Sequence, residues 1–511
     1  MQRNLLNGGP VWLFLLAALW GAGIFWLAPH PPMVDLPQHA AQVALLRDLL
    51  QGASPWADFF RVNWITPYLI GYGLALPLAL VMPVAAALKL LLSLAYLAFV
   101  FMCVRLRRHF GADARLDWLF LLGFFGFAYT WGFFTFLVAA PIGLWFLLLA
   151  DRYAREQSLR RAAGVTTVGL ILLASHGLMF VFAVGTGFLL LAAHARSWRA
   201  FVLALWPYVI FGLASIIYFL ISRQVSSGLA LDQSLPQTLL WGNGPRIPDT
   251  LIFPLCANVQ GLSVLLPLFT VLFMIAAPWL MRARIDFQHK SSWLPHVVIV
   301  LIMLMVPSYA LNTQFLYQRF ALFLLPTYAW MFTWQAESLR SIDRRNARVA
   351  MSLIILLCFA MLSVHSIRAW RFGQESADID HLMTVVEPGQ RALALVFAPD
   401  SSADNNRKIY AHYPAWYQAE HQGLVDFNFA WFPPQIVRYR PDHLPAVRPG
   451  FEWHPERFDW NTHDGAAYRY FFVRPPPGQP QNLFAGAPCT PKLLLTLGSW
   501  AVYENRPCSS R

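Results

Sequence analysis

The residues best suited to chemistry lie in PHPPMVDLPQHAAQVALLRDLL, 29–50. Asp35 and His39 are four residues apart, the spacing that puts two side chains on one face of a helix, and Gln42 follows a turn later. A carboxylate and an imidazole so placed can take a proton from a hydroxyl group. The plainer alternative is structural. Asp is a favoured helix N-cap, Pro37 follows close behind, and His39 is then a solvated or interfacial histidine. A second candidate is QFLYQRF, 314–320, whose Arg319 can clamp a phosphate through its forked guanidinium. Its structural alternative is a snorkelling or ion-paired arginine. Tyr317 and Gln318 beside it suit sugar or phosphate contacts. His176 in ASHG, 174–177, is placed either to meet a ligand or to bond a neighbouring helix. Asp232, Arg246 and Asp249 fall in the stretch 223–260, where Arg246 is a candidate for substrate binding and all three can equally be solvated charges. Trp241 and Trp431 read as interfacial aromatics or as sugar platforms.

These residues must be positioned by a chain of unusual composition. Of its 511 residues 57% are hydrophobic and 13% charged, against about 25% charged in an ordinary globular protein. The mean hydropathy is +0.47. A soluble fold could not hide that much apolar surface, and disorder, coiled coil, collagen and a disulfide-dense scaffold are excluded with it. Apolar runs long enough for about 30 Å of hydrocarbon recur near 11–28, 84–104, 117–133, 134–150, 162–175, 177–193, 200–222, 261–281, 293–308, 320–336 and 349–365. They predict an all-α polytopic bundle of about eleven transmembrane helices. The intervening loops alternate in basic content: one set, which includes Arg105–Arg115, Arg152–Arg161 and Arg340–Arg348, holds eighteen Lys and Arg, and the other holds five. The positive-inside rule makes the first set and the N-terminus cytoplasmic and puts residues 366–511 outside. The net charge of +12 is then a topology signal with a contribution to binding anionic lipid, and gives no reason to invoke nucleic acid. Residues 65–82, ITPYLIGYGLALPLALVM, would reverse that parity as a full crossing. They are read as an interfacial or re-entrant piece broken by Pro67, Gly71, Gly73 and Pro77. The first apolar stretch is too long for a cleaved signal peptide, lacks a small-x-small site, and reads as a signal anchor.

The expected organisation is a transmembrane domain over 1–365, with outer loops 29–64, 223–260 and 307–319, and an extracytoplasmic α/β domain over 366–511. In the tail, 391–399, 467–475 and 492–505 read as strands, and 376–387 and 413–422 can be helical. Cys489 and Cys508 would lie in an oxidising compartment and could form a disulfide. Cys103, Cys256 and Cys358 fall in or beside spans as inert thiols. There is no CxxC or other metal-ligand spacing, no P-loop and no internal repeat.

This layout resembles the GT-C superfamily of integral-membrane glycosyltransferases. The resemblance rests on an acidic residue early in the first outer loop (Asp35 in VDLPQHAAQ), an interfacial helix at 38–50 and the semi-span 65–82. The basic inner loop RLRRHFG (105–111), many further spans and a C-terminal outer domain complete it. It implies an enzyme of the hexosyl or pentosyl transferase class in the cell envelope, sited in the bacterial inner (cytoplasmic) membrane. Such an enzyme moves a sugar from a polyprenyl-phosphate donor to an extracytoplasmic glycan, lipid or protein acceptor. Asp35 would match the catalytic carboxylate and Arg319 the phosphate-binding arginine. The first loop has no adjacent acidic pair and no DxD-like site, so no cofactor is expected and a divalent metal has no ligand cluster to support it. The rival readings are a polymerase or ligase of lipid-linked polysaccharide and a non-enzymatic transporter or scaffold. The gathering of polar groups at one face and the lack of duplicated halves weigh against a transporter.

Overall fold

A computed structural model describes residues 11–226, 239–242, 244, 246–257, 261–310, 313–334, 341–403, 408–475 and 483–506. Arg3, Asp232 and Cys508 lie outside the described residues. The chain divides into two compact units. One is built mainly from residues 26–90 and 368–511, the other from 1–25, 91–223 and 233–367. The first outer loop and the segment after it therefore belong with the tail, although nearly three hundred residues separate them along the chain.

Among the described residues five helices are long and apolar enough to cross a membrane: Val84–Phe110, Phe134–Arg155, Gly177–His194, Leu262–Leu280 and Arg344–Val385. The bent pair Trp198–Ala204 and Trp206–Ser222, which meets at 46°, makes a sixth if counted as one span. Expected spans at 11–28, 162–175 and 293–308 are helices of 14 to 16 residues, Val11–Ile24, Leu159–Leu173 and Lys290–Met305. Two others are not continuous helices. Residues 117–133 form the 3-10 turns Ala114–Phe120 and Gly123–Phe125 and the short helix Phe127–Trp131. Residues 320–336 form a 3-10 turn, Gln318–Phe323, the helix Leu324–Ala329 and the two-residue strand Phe332–Thr333. The reason is close backbone approach inside the protein. Phe127 donates its N–H to the carbonyl of Phe253 (2.9 Å), and a Cβ on Gly126 would lie 2.3 Å from that same oxygen. These phenylalanine-rich runs are buried in protein, and hydropathy does not separate that environment from lipid.

The unit containing the tail is α/β. Its strands are β1 (Phe60–Val62), β2 (Arg391–Val396), β3 (Leu424–Asp426), β4 (Val437–Tyr439), β5 (Tyr470–Arg474), β6 (Lys492–Leu497) and β7 (Trp500–Glu504). Five of them form one sheet in the order β6-β7-β5-β2-β3. β2 runs parallel to β3 and β5, and β7 is antiparallel to β5 and β6. The expected strand 492–505 is thus a hairpin, turned at Gly498 with φ +54°. Strand β1 pairs antiparallel with β4, so the early segment is tied to the tail through main-chain bonds. Segment 65–82 contains one helix of 11 residues, Leu69–Ala79, about 16 Å long and too short to cross alone. Cys489 is disulfide-bonded, while its expected partner Cys508 is outside the described residues.

The helix Leu36–Leu50 departs from its expected character. The sequence reads as an interfacial helix over 38–50, whereas the helix starts at Leu36 and every residue from Leu36 to Leu46 is buried. Its glutamines explain how. Gln38 Oε1 accepts the N–H of Phe429 (3.0 Å) and Gln42 Oε1 accepts the N–H of Val437 (2.9 Å). Side chains that look like a solvated face are bonded to tail backbone instead.

Candidate active site

Asp35 stands at the head of the Leu36–Leu50 helix with α-type backbone angles (φ −92°, ψ −6°), and its side chain makes no capping bond. Its carboxylate Oδ1 instead accepts a hydrogen bond from His412 Nδ1 at 3.0 Å. Among the described residues this is its only side-chain hydrogen bond, and the carboxylate keeps 15% of its surface exposed. The N-cap explanation for Asp35 therefore does not hold. The imidazole that meets it is also not His39. His39 Nδ1 lies 2.7 Å from the Tyr72 hydroxyl, which donates its own proton to Gln435 Oε1 at 2.6 Å. The Tyr72 proton being committed, His39 is the donor in that contact.

His412 sits in the turn before the helix Ala415–His421 and is buried against Phe427, Phe429 and Trp453. Its Nε2 is buried without a hydrogen-bond partner. The ring lines a small cavity with Gln38, Asp426, Phe427, Phe451 and Glu452. Burial pushes the Glu452 carboxyl above its ordinary range; the nearby His412 opposes that rise and the Asp35 charge adds to it. Asp426, at the end of β3, is likewise raised by complete burial. It accepts from Arg391 Nη2 (2.6 Å) and the Tyr468 hydroxyl (3.1 Å) through Oδ2, while Oδ1 has no partner.

Apart from Trp431, the remaining expected site residues described belong to the other unit, where Tyr317, Asp249 and Arg246 meet. Tyr317 donates to Asp249 Oδ2 (2.6 Å), and the Arg246 guanidinium lies 3.8 Å over the Tyr317 ring. Arg246 also donates to the carbonyls of Trp241, Met303 and Val306. Gln318 Nε2 donates to Ser308 Oγ (2.8 Å). Arg319 is not an exposed fork: it is 9% accessible, donates to the carbonyls of Phe315 (3.1 Å) and Gln314 (2.8 Å), and stacks 3.9 Å over Phe133. His176 is buried edge-on to Phe136, at the head of the helix Gly177–His194. Trp241 is exposed and Trp431 buried. Among the described residues no group of three or more His, Cys, Asp or Glu is arranged to hold a metal ion.

A cluster around His30 carried no sequence signal. Its Nε2 meets Glu420 Oε1 (3.0 Å) and its Nδ1 meets Asp380 Oδ1 (3.2 Å), with the ring stacked on Trp416 at 4.0 Å. Burial alone would lower its pKa, but the two carboxylates outweigh it and raise the value to about 9. The folded state holds this proton more tightly than the unfolded chain, so the stabilisation is complete below about pH 6.5 and is lost as pH rises through 9. It amounts to about 3 kcal/mol. The thermal midpoint of the purified chain is expected to fall between pH 6.5 and 9.5, with a flatter profile in His30→Gln. Identical slopes for the two proteins would remove this assignment.

Neither a protein-family model nor a curated protein sequence matches the chain. Solved structures do. ArnT from Cupriavidus metallidurans, bound to undecaprenyl phosphate, aligns over 98% of this chain and 98% of its own at 11% identity and a TM-score of 0.58. The arabinofuranosyltransferase AftD from Mycobacteria aligns over 98% of this chain at 14% identity and a TM-score of 0.51. This chain spans 40% of the AftD length. The fold is the GT-C fold. That GT-C likeness takes in nearly the whole chain, including the α/β part that supplies His412. Sequence reasoning named Asp35 as a candidate and did not name His412, Glu452 or Asp426, which the structure groups near it. The segment YAHYPAWY, 410–417, looks like packing material, and nothing in it points 377 residues back along the chain.

Proposed function

We propose that this protein is a membrane glycosyltransferase that moves a sugar from a polyprenyl-phosphate donor to an acceptor hydroxyl outside the cytoplasm. The observation that carries the reading is the Asp35 carboxylate. It is partly exposed, is not spent on capping its helix, and is held through one oxygen while the other remains available. The GT-C fold and the undecaprenyl phosphate bound by ArnT support the class of donor. The acceptor oxygen attacks the anomeric carbon as Asp35 Oδ2 takes its proton. The bond from that carbon to the phosphate oxygen breaks, and its electron pair leaves with the polyprenyl phosphate. Attack opposite the leaving group inverts the anomeric centre. Phosphate is a good leaving group, so the scheme needs no strong acid at its oxygen and uses no metal or cofactor.

For the phosphate we retain Arg319, with Arg246, Tyr317 and Gln318, as the candidate group of the bundle unit, and His176 as a further candidate contact there. The carbonyl oxygens of Phe315 and Gln314 hold the Arg319 guanidinium in place, which suits a preorganised cation for an anionic group. The loop charges support an inner-membrane protein with a cytoplasmic N-terminus and a periplasmic tail. The test is release of undecaprenyl phosphate from a panel of synthetic undecaprenyl-phosphate hexoses and pentoses. Full-length chain and its Asp35→Asn variant would be compared in vesicles of native inner membrane. No release from any donor, or an equally active Asp35→Asn variant, would remove this reading.

A further inference from the structure

We infer that His412 is the positioning residue of the proposed base: it fixes which oxygen of Asp35 meets the acceptor. The inference rests on the reading of Asp35 as the base. An ionised carboxylate only accepts hydrogen bonds, so at the 3.0 Å contact Nδ1 carries the proton and Nε2 of the neutral ring does not. That Nε2 is buried and without a partner, on the wall of the cavity shared with Glu452 and Asp426. One nitrogen of this imidazole therefore orients Asp35, and the other is a base closed off from bulk water.

The rotamer of His412 is set by packing. The ring is 5% exposed and wedged among Phe427, Phe429 and Trp453, so it cannot follow Asp35 if the carboxylate turns. Oδ1 is thereby fixed, and Oδ2 is the oxygen left to take the acceptor proton. The charged groups facing this imidazole are Asp35 and Glu452, with Asp426 across the cavity and Lys408 over the Trp453 ring beside it.

The experiment uses the geometry of amides. Asparagine at 412 presents its NH₂ near the position of Nδ1, glutamine presents it near Nε2, and phenylalanine presents none. We expect His412→Asn to keep turnover within a few-fold of the parent. His412→Gln and His412→Phe should lose about 10–100-fold in kcat with KM for the undecaprenyl-phosphate sugar unchanged. A structural role alone would lower the yield and thermal midpoint of all three variants and give His412→Asn no advantage in kcat over His412→Gln. Equal losses in Asn, Gln and Phe variants would overturn the inference. If Asp35→Asn abolishes turnover while His412→Phe keeps it, the positioning role fails and the base stands. If Asp35→Asn stays active, the base itself fails.

Discussion

Asp35→Asn is expected to lower kcat for sugar transfer by roughly 10²–10⁴-fold, the ordinary contribution of a positioned general base. Donor binding should be unchanged. The substitution keeps the size of the side chain, and the amide oxygen can still accept from His412 Nδ1, so fold and packing survive. What is lost is the oxygen proposed to take the proton. Two measurements separate these effects: undecaprenyl phosphate release gives kcat, and the thermal shift on adding undecaprenyl phosphate gives lipid binding. A fall in both together would point to damage rather than chemistry. Retained turnover would remove Asp35 as the base.

The second large effect concerns stability. Arg391→Met is expected to destabilise the α/β unit by about 3–5 kcal/mol, the usual cost of leaving one partner of a buried ion pair uncompensated. Asp426 is wholly buried, and Arg391 with the Tyr468 hydroxyl supplies its charge compensation. Without the guanidinium the carboxyl must take up a proton on folding. Its folded pKa, already raised by burial, rises further, so the defect is largest near neutral pH and shrinks as pH falls towards the ordinary carboxylate range. Arg391→Met combined with Asp426→Leu should recover most of the loss. Denaturation midpoints at pH 4.5 and 7.5 for the two variants check this. A defect of equal size at both pH values would indicate lost packing of the arginine stem instead.

Much of the bundle was legible because bilayer thickness sets a run length that hydropathy can read. The expected runs 84–104, 134–150 and 177–193 coincide with the helices Val84–Phe110, Phe134–Arg155 and Gly177–His194. The same reading failed at 117–133 and 320–336, where phenylalanines pack on phenylalanines inside the protein. A side chain such as Phe124 or Phe323 gives the same signal whether it faces lipid or a neighbouring ring. In the tail, the short apolar runs, aromatic in β5 and rich in Ala and Leu in β2, gave β2, β5 and the hairpin, whereas β3 has three residues and no pattern of its own. Asp35 was legible by type and place. Its environment was not, since Gln38, Gln42 and His412 take their meaning from partners hundreds of residues away.

That separation has a consequence for biosynthesis. Asp35 leaves the ribosome 377 residues ahead of the histidine that holds it, which at 5–20 residues per second is roughly 20–75 s. Throughout that interval the nascent chain carries its acid without the imidazole, the sheet or the strand that β1 pairs with. A product released early, by a nonsense codon or a stalled ribosome, would keep most of its membrane anchors and still lack an assembled centre.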